Sequence, residues 1–250
     1  MHRFFVSPQQ IAQLIVRFDD DQAHQIRRVL RLRTGDRVLA LDGEGWQYEV
    51  VLEEVTNTRV TGLISSKEEA VGEPSVKLTL FQSLLKREKF EWVLQKGTEI
   101  GVDTFAPVIT RRSLVRETDD VKPEKLDRWQ RIIKEAAEQS GRGLLPRLLS
   151  PVPFEFAAAE APAFDRALIA WTGGLRTTVR EALAGCDGAA EVALYIGPEG
   201  GFDPDEVQEV TGYGAVPITL GPRILRTETA AVVGAALVLH ELGEMGSSDG

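Results

Sequence analysis

The stretch EVALYIGPEGGFDPDEVQEVTG, Glu191–Gly212, places a short apolar run, a glycine-rich turn and an amphipathic segment in immediate succession. EVALYI is typical of a buried strand, and DPDEVQEVTG of a helix with Asp203 as N-cap and Glu206 closing a capping box. The next stretch, AVPITLGPRILRTETAAVVGAALVLHEL, Ala215–Leu242, repeats the order of strand, glycine turn and helix. This alternation predicts βαβ units, and therefore an α/β fold with a mostly parallel sheet.

The chain before this stretch continues the same alternation back to residue 76. VKLTLFQSL, VDTFAPVIT and RALIAW are predicted strands, and residues 86–101, 122–141 and 176–185 are predicted helices. Gly101 and Gly141 stand where the first two of these helices are expected to end, since glycine readily adopts the left-handed conformation of a helix C-terminus.

A different pattern precedes residue 65. Val38–Ile64 alternates polar and apolar residues around the turn sequences DGEG and NTR, which predicts a small antiparallel sheet or barrel. The polar stretch Ser65–Ser75 contains glycine and proline and is predicted to be a linker. We therefore expect a β domain at residues 1–70 and an α/β domain at residues 75–245.

Composition narrows the class of protein. The chain has 250 residues, of which 43% are hydrophobic and 27% charged, and no apolar run of membrane-spanning length. Its start lacks the apolar core of a secretion signal. The single cysteine, Cys186, and three scattered histidines give no disulfide framework and no plausible soft-metal site. We expect a cytoplasmic globular protein without a metal and without a membrane span.

The charge is unevenly distributed. The net charge is −9, yet the stretch His24–Arg37 contains five arginines and one aspartate. A basic island in an acidic protein is consistent with contact to a specific polyanion, and equally with a solvated, salt-bridged surface. The residues alone leave both interpretations open.

The two glycine turns are the candidate ligand site. Gly197 and Gly221 lie 24 residues apart, each after a predicted strand. Ligands bind beyond the carboxyl ends of parallel strands, so we expect the turns to sit close together on neighbouring strands. Neither matches a phosphate-binding loop or a standard dinucleotide fingerprint, and the carboxylate of Glu199 suits an amine, a ribose hydroxyl or a sulfonium better than a phosphate. The alternative is that the glycines serve only the backbone.

Taken together, IGPEGGF, LGPRILRTETA, EQSGR and KFEWVLQKGTEIGV resemble the RsmE family of ribosomal RNA methyltransferases, with MHRFFV and HQIRRVLRLRTGD matching its amino-terminal domain. The resemblance covers nearly the whole chain. It implies a small PUA-like β-barrel followed by a SPOUT α/β domain with a C-terminal trefoil knot. It also implies S-adenosylmethionine (SAM) as cofactor, methylation of uridine N3 in 16S ribosomal RNA of the small subunit, and a homodimer.

Carried onto this sequence, the resemblance implies roles for particular residues. Arg226 is the catalytic candidate, and Thr227 is expected to cap the last helix and to contact the cofactor. Arg27, Arg28, Arg31 and Arg142 are the expected RNA contacts, with Glu138 orienting Arg142 or lying on a helix surface. The remaining expected cofactor-binding residues are Gly197, Pro198, Glu199, Gly200, Gly201, Leu220, Gly221, Ile224 and Leu225.

Three points stay open at this level. Arg223 either touches RNA or faces water. Gly97 and Gly143 depart from the residues that the resemblance leads us to expect there. A non-catalytic RNA-binding protein that keeps the fold is the alternative function, and it predicts damaged cofactor turns, whereas both turns and Arg226 are intact.

Overall fold

The chain divides into two compact units. The computed structural model describes residues 1–86, 88–114, 121–174, 177–186 and 190–246. Unit 1 comprises Met1–Glu73 and Ala137–Leu145, and unit 2 comprises Pro74–Ala136 and Pro146–Gly250. The predicted division at residues 70–75 did not include the second segment of unit 1.

Unit 1 contains a six-stranded sheet in the order β1-β4-β5-β6-β3-β2. Its first and fourth strands pair in parallel and the other neighbours are antiparallel. Buried residues of these strands, including Phe4, Val38 and Leu52, pack together with Ile26 from a helical segment. The elements are β1 His2–Phe5, β2 Ile11–Ala12, β3 Ile15–Arg17, α1 Asp20–His24, a π-helical turn Gln25–Val29, β4 Arg37–Leu41, β5 Trp46–Val55 and β6 Val60–Glu69.

The predicted linker is wrong in its first half, because β6 continues to Glu69. Beyond a bulge next to Glu49, the strand pairs Ser66–Glu69 with Trp46–Glu49 in antiparallel register. The Lys67 ammonium lies 4.1 Å from the centre of the Trp46 ring. Lys67, Glu68 and Glu69 are all exposed, so the stretch reads as polar although its backbone is paired in the sheet.

Unit 2 contains a seven-stranded sheet in which every strand pair of the described residues is parallel, which confirms the predicted parallel character. Its main order is β10-β8-β7-β12-β11-β13, with β9 also pairing with β8. The strands are β7 Lys77–Ser83, β8 Thr104–Ile109, β9 Arg147–Leu148, β10 Val152–Pro153, β11 Arg166–Ala170, β12 Glu191–Ile196 and β13 Val216–Ile218.

Helices cover both faces of this sheet. Buried side chains of four helices join Leu80 and Leu194 in one cluster, and those of the other two join Phe81 and Tyr195 in a second. Neighbouring residues of one strand point to opposite faces, so the two clusters lie on the two sides of the sheet. The helices are α2 Glu88–Ile100, α3 Pro123–Ser140, α5 Val179–Ala182 and α7 Thr227–Glu241 for the first cluster, and α4 Phe154–Ala159 and α6 Pro204–Gly212 for the second.

Most predicted helix ends are confirmed. Gly101 and Gly141 have φ of 109° and 81°, and Asp203 with Glu206 forms the capping box of α6. The helix predicted over 176–185 is only the single turn α5, with Thr178 as its cap. Arg87 and Arg176, which belong to predicted helices, lie outside the described residues.

Packing accounts for both unexpected glycines. A β-carbon on Gly97 would lie 2.7 Å from the Phe105 ring, inside the core of unit 2. A β-carbon on Gly143 would overlap that of Ala70 in unit 1. Each position therefore excludes a larger side chain, and neither glycine bears on the cofactor turns.

Candidate cofactor-binding site

The two glycine turns do not follow neighbouring strands, so that expectation is wrong. The strands that lead into them, β12 and β13, both pair with β11, which lies between them. The end of β11 at Ala170 therefore stands between the two turns, and Trp171 follows it with its N–H donated to the Ile218 carbonyl. The alternation of strands and helices specified the elements, but not their order in the sheet.

The segment that follows the second turn nevertheless reaches the first turn, through Thr227. Its hydroxyl donates a hydrogen bond to the Gly197 carbonyl, and it lies 3.4 Å from the Gln82 amide nitrogen at the end of β7. The expectation that Thr227 caps α7 is wrong, because the N-cap is Arg226, whose side chain makes no capping bond. Thr227 instead occupies the first helical position and joins the start of α7 to the first turn.

Intramolecular donors occupy most carbonyls of the first turn. Gly197 accepts from Thr227, Pro198 from the Gly201 N–H at 2.9 Å, and Gly200 from Arg112 at 3.1 Å. No described residue accepts from the N–H groups of Glu199 and Gly200. This turn therefore has two free backbone donors, while three of its carbonyls are already used.

A chain of charges lies beside the first turn. The Lys89 ammonium stands 3.6 Å from the Glu199 carboxylate and 3.4 Å from that of Glu228, which links α2, the turn and α7. Close by, the buried Gln82 has a side-chain oxygen with no hydrogen-bond donor among the described residues. None of Lys89, Glu228 and Gln82 was predicted: Glu228 lies within LGPRILRTETA but was not singled out, and Lys89 and Gln82 lie outside the two glycine turns.

The second turn is far more exposed. The Thr219 hydroxyl and the Gly221 N–H lie 3.2 Å apart, and Gly221 has φ of 111°. The Ile224 side chain is 88% exposed, an unusual position for a large apolar group. Leu220 and Leu225 are half-buried. A ligand with an apolar part would cover the surface that Ile224 leaves open.

Both arginines of the second turn point into solvent. Arg223 and Arg226 are exposed, and no described residue forms an ion pair or a side-chain hydrogen bond with either guanidinium. The Arg226 carbonyl accepts the Ala230 N–H at 2.8 Å, so its backbone is fixed while its side chain is available. The predicted catalytic candidate is thus accessible, next to Thr227 in the chain.

Asp203 connects the first turn to α6. Its carboxylate accepts the Asp205 N–H, and Arg112 and Arg111 pair with it at 3.0 and 3.4 Å. The Asp205 hydrogen bond is the main reason that the pKa of Asp203 lies below its ordinary value, and the positive charge of Arg112 lowers it further. Asp203 is therefore ionised at neutral pH.

Unit 1 holds the basic island. Arg28 and Arg31 are exposed, and Arg31 has φ of 57°. Arg27 is half-buried, and its guanidinium donates to the Ala23 carbonyl and to the Asn57 side chain, both at 3.1 Å. Of the three predicted contacts, Arg28 and Arg31 are the more available to a phosphate.

Arg142 does not fit the predicted RNA contact. Its side chain is 5% exposed and pairs with Glu73 at 2.7 Å. Glu73 also accepts the N–H groups of Gly143 and Leu144, at 2.8 and 3.0 Å. A phosphate contact requires an accessible guanidinium, whereas this one is enclosed as part of the structure of unit 1. Glu138 accepts the Phe5 N–H at 2.8 Å, which is likewise a structural contact.

Neither a metal centre nor a membrane-spanning helix occurs among the described residues. No cluster of three or more histidine, cysteine, aspartate or glutamate side chains with the geometry to hold a metal ion occurs among them. Nor does any helix within that part of the chain have the length and apolar character to cross a membrane.

Comparison with known proteins identifies the family. An RNA methyltransferase domain matches residues 72–239, and an RNA methyltransferase PUA domain matches residues 18–65. The ribosomal RNA small subunit methyltransferase E of Bacillus subtilis is 30% identical over 96% of this chain and 97% of its own length. This chain belongs to the ribosomal RNA small subunit methyltransferase E family.

Two further members of the methyltransferase E family support this assignment. The enzyme of Synechocystis is 34% identical over 95% of this chain and 77% of its own length. The crystal structure of the Neisseria gonorrhoeae enzyme, bound to S-adenosyl methionine, superposes with a TM-score of 0.86 at 28% identity, covering 98% of this chain and all of that one. The PUA and α/β parts of the predicted fold are confirmed.

Proposed function

We propose that this protein transfers a methyl group from SAM to N3 of a uridine in the 16S ribosomal RNA of the small subunit. One observation carries the proposal: Thr227, two residues beyond the second glycine turn, bonds the first turn, next to the exposed Arg226. Family membership supports the same chemistry, since a related enzyme was solved with SAM bound.

The residues of the two turns fit this cofactor. The free N–H groups of Glu199 and Gly200 suit the hydroxyl and ring acceptors of a nucleoside, and Ile224 and Leu225 offer apolar surface to its base. The carboxylates of Glu199 and Glu228 suit a positive charge better than a phosphate. SAM, when bound here, supplies an electrophilic methyl group. The residues that would hold it are Gly197, Pro198, Glu199, Gly200, Gly201, Leu220, Gly221, Ile224, Leu225 and Thr227.

Arg226 is the proposed catalytic residue. Uracil N3 lies on the pairing edge, so the base must be unpaired or flipped to reach the site. As N3 gives up its proton to the surrounding water, negative charge spreads to O2 and O4 of the base. A guanidinium fixed next to these oxygens stabilises that charge with a planar set of donors.

Unit 1 is proposed to hold the RNA backbone. Arg28 and Arg31 are exposed on the basic island, and Arg27 adds positive charge behind them. Phosphate contacts of this kind position an RNA without reading its sequence. Replacing all three by glutamine is expected to reduce the salt dependence of RNA binding, and an unchanged slope of affinity against salt would remove them from the contact set.

A homodimer and a knot are part of the same proposal. From Thr227 to Leu239, α7 carries no charge except Glu228, and Ala230, Val233 and Leu237 are only half-buried. A second copy packed on this side would complete their burial. Light scattering coupled to size-exclusion chromatography gives the mass in solution, and a monomer at micromolar concentration would contradict the dimer.

The trefoil knot and the cytoplasmic location stay predictions from the family resemblance.

The deciding experiment uses small ribosomal subunits from cells that lack the modification. The protein is incubated with labelled SAM and either these subunits or naked 16S RNA, and the methylated base is mapped by mass spectrometry. We expect one N3-methyluridine in at least one of the two substrates. RNA binding without methyl transfer would instead support the alternative, a non-catalytic RNA-binding protein that retains the fold.

A further inference from the structure

The first glycine turn is contacted by a loop from two strands away. Residues 110–113 follow β8, which β7 separates from β12 in the sheet. The loop is internally ordered, because the buried hydroxyls of Thr110 and Ser113 lie 2.8 Å apart and the Ser113 hydroxyl also accepts the Thr110 N–H. These bonds make it a hydrogen-bonded platform for the residues that contact the turn.

Arg112 joins this platform to the turn. One guanidinium nitrogen donates to the Gly200 carbonyl at 3.1 Å, and the other lies 3.0 Å from the Asp203 carboxylate. A planar guanidinium that satisfies two acceptors at once restrains their relative orientation, which a lysine ammonium on a flexible stem does less well.

Glu206 joins the same two segments from inside the fold. It is 2% exposed, and its two side-chain oxygens accept the N–H groups of Arg111 and Asp203, both at 2.8 Å. The bond to Asp203 belongs to the capping box of α6, whereas the bond to Arg111 is an additional tertiary contact. Both oxygens of this buried carboxylate are thus used to hold one loop against the other.

We infer that Arg112 and Glu206 are positioning residues for the cofactor turn, an inference that rests on the proposed function. Two successive glycines, Gly200 and Gly201, leave the peptides of this turn with great conformational freedom. Arg112 removes that freedom in advance by holding the Gly200 carbonyl, so that less ordering is required when a ligand binds. Neither residue touches the reacting atoms.

Arg112→Ala is expected to weaken SAM binding about tenfold, because the turn must then be ordered at the moment of binding. Isothermal titration calorimetry with SAM measures this directly. In steady-state assays the KM for SAM is expected to rise, while kcat and the KM for RNA stay at their wild-type values, since the target site is unchanged.

Arg111→Ala is the matched control. Arg111 also pairs with Asp203, and its side chain is 57% exposed against 45% for Arg112, yet its guanidinium makes no contact with Gly200. Its N–H bond to Glu206 survives the substitution. We expect wild-type SAM affinity for this variant and partial recovery of SAM affinity for Arg112→Lys.

Glu206→Gln tests the second positioning residue. It turns one acceptor into a donor that faces a backbone N–H group, so we expect it to weaken SAM binding, as Arg112→Ala does.

Three results would overturn the inference. The first is wild-type SAM affinity in Arg112→Ala, whether or not its melting temperature falls. The second is an equal loss of SAM affinity in the two alanine variants, which would indicate a general charge effect. The third is a raised KM for RNA at unchanged SAM affinity in Arg112→Ala, which would indicate that Arg112 contacts a phosphate. Wild-type protein that binds SAM but leaves RNA unmethylated contradicts the proposed function alone.

Discussion

The two glycine turns of unit 2 resemble each other in sequence but differ in how they are held. In the turn at 197–201, three carbonyls accept intramolecular hydrogen bonds and the Glu199 carboxylate faces Lys89. In the turn at 220–225, Thr219 is the only residue in the described part of the chain that hydrogen-bonds Gly221, and the side chains of Arg223 and Ile224 face solvent. The backbone of the first turn is therefore already ordered by hydrogen bonds, whereas the second turn is an exposed surface that a ligand could cover.

This difference suggests a division of labour. A preformed backbone costs little to order on binding and provides affinity, whereas an open turn that carries unpaired guanidinium groups can respond to a charged substrate. Thr227 and Arg226 are adjacent in the chain but differ in the same way: Thr227 bonds the first turn, whereas the side chain of Arg226 faces solvent.

The largest expected effect tests the chemistry of the open turn. Arg226→Ala removes the proposed donor to the uracil oxygens, and we expect the rate of methyl transfer to fall about 100- to 1,000-fold. SAM affinity, measured separately by calorimetry, should stay near the wild-type value because the backbone at the N-cap is retained. Arg223→Ala is the control variant. Methyl transfer by Arg226→Ala at the native rate would contradict the assignment of Arg226 as the catalytic residue.

The junction between the start of α7 and the first turn is tested by Thr227→Val. Loss of the hydroxyl leaves the Gly197 carbonyl without its donor, which is expected to lower the free energy of unfolding by about 1–3 kcal/mol. Urea denaturation measures the change, and SAM affinity should fall with it. Thr229→Val makes the same atomic change two residues along α7, where no described residue bonds the hydroxyl. Equal effects of the two variants would show that the junction is unimportant.

The backbone of the open turn is tested by Gly221→Ala. Its φ of 111° is strained for any residue with a β-carbon, although no atom lies within 4 Å of that position. We expect a loss of about 1–2 kcal/mol in the free energy of unfolding, from backbone strain alone. Gly212→Ala, at the end of α6 with equally open space, should be neutral or stabilising. An unchanged free energy of unfolding for Gly221→Ala would mean that the turn can adopt another backbone conformation without cost.

The smallest effect concerns pH and the contacts behind the first turn. The folded pKa of Asp203 lies below its unfolded value, so its contribution to stability is present above the unfolded pKa and is lost as pH falls through the folded pKa. The stability difference between wild type and Asp203→Asn should therefore be greatest near pH 7 and shrink towards pH 3. A difference independent of pH would show that the charge of Asp203 contributes nothing.

Local signals in the sequence predicted local structure well. Apolar runs and glycine positions located five of the seven strands of unit 2 (the short β9 and β10 were not predicted), the ends of α2 and α3, and the capping box at Asp203 and Glu206. These features depend on residues within one turn or one strand of each other, where backbone sterics and hydrogen bonding decide. The second half of β6, Ser65–Glu69, was not predicted, because pairing with its partner strand and not its own pattern makes it a strand.

By itself, the sequence determined the parallel α/β class, the two glycine turns, the arginine beside them and the family. Only the tertiary structure decided that β11 lies between those turns, that Thr227 bonds the first of them, and that Arg142 is enclosed by Glu73 rather than offered to RNA. The physical reason is that each of these contacts links residues far apart in the chain. Their partners are chosen by packing and by the need to pair buried polar groups, and no local pattern records that choice.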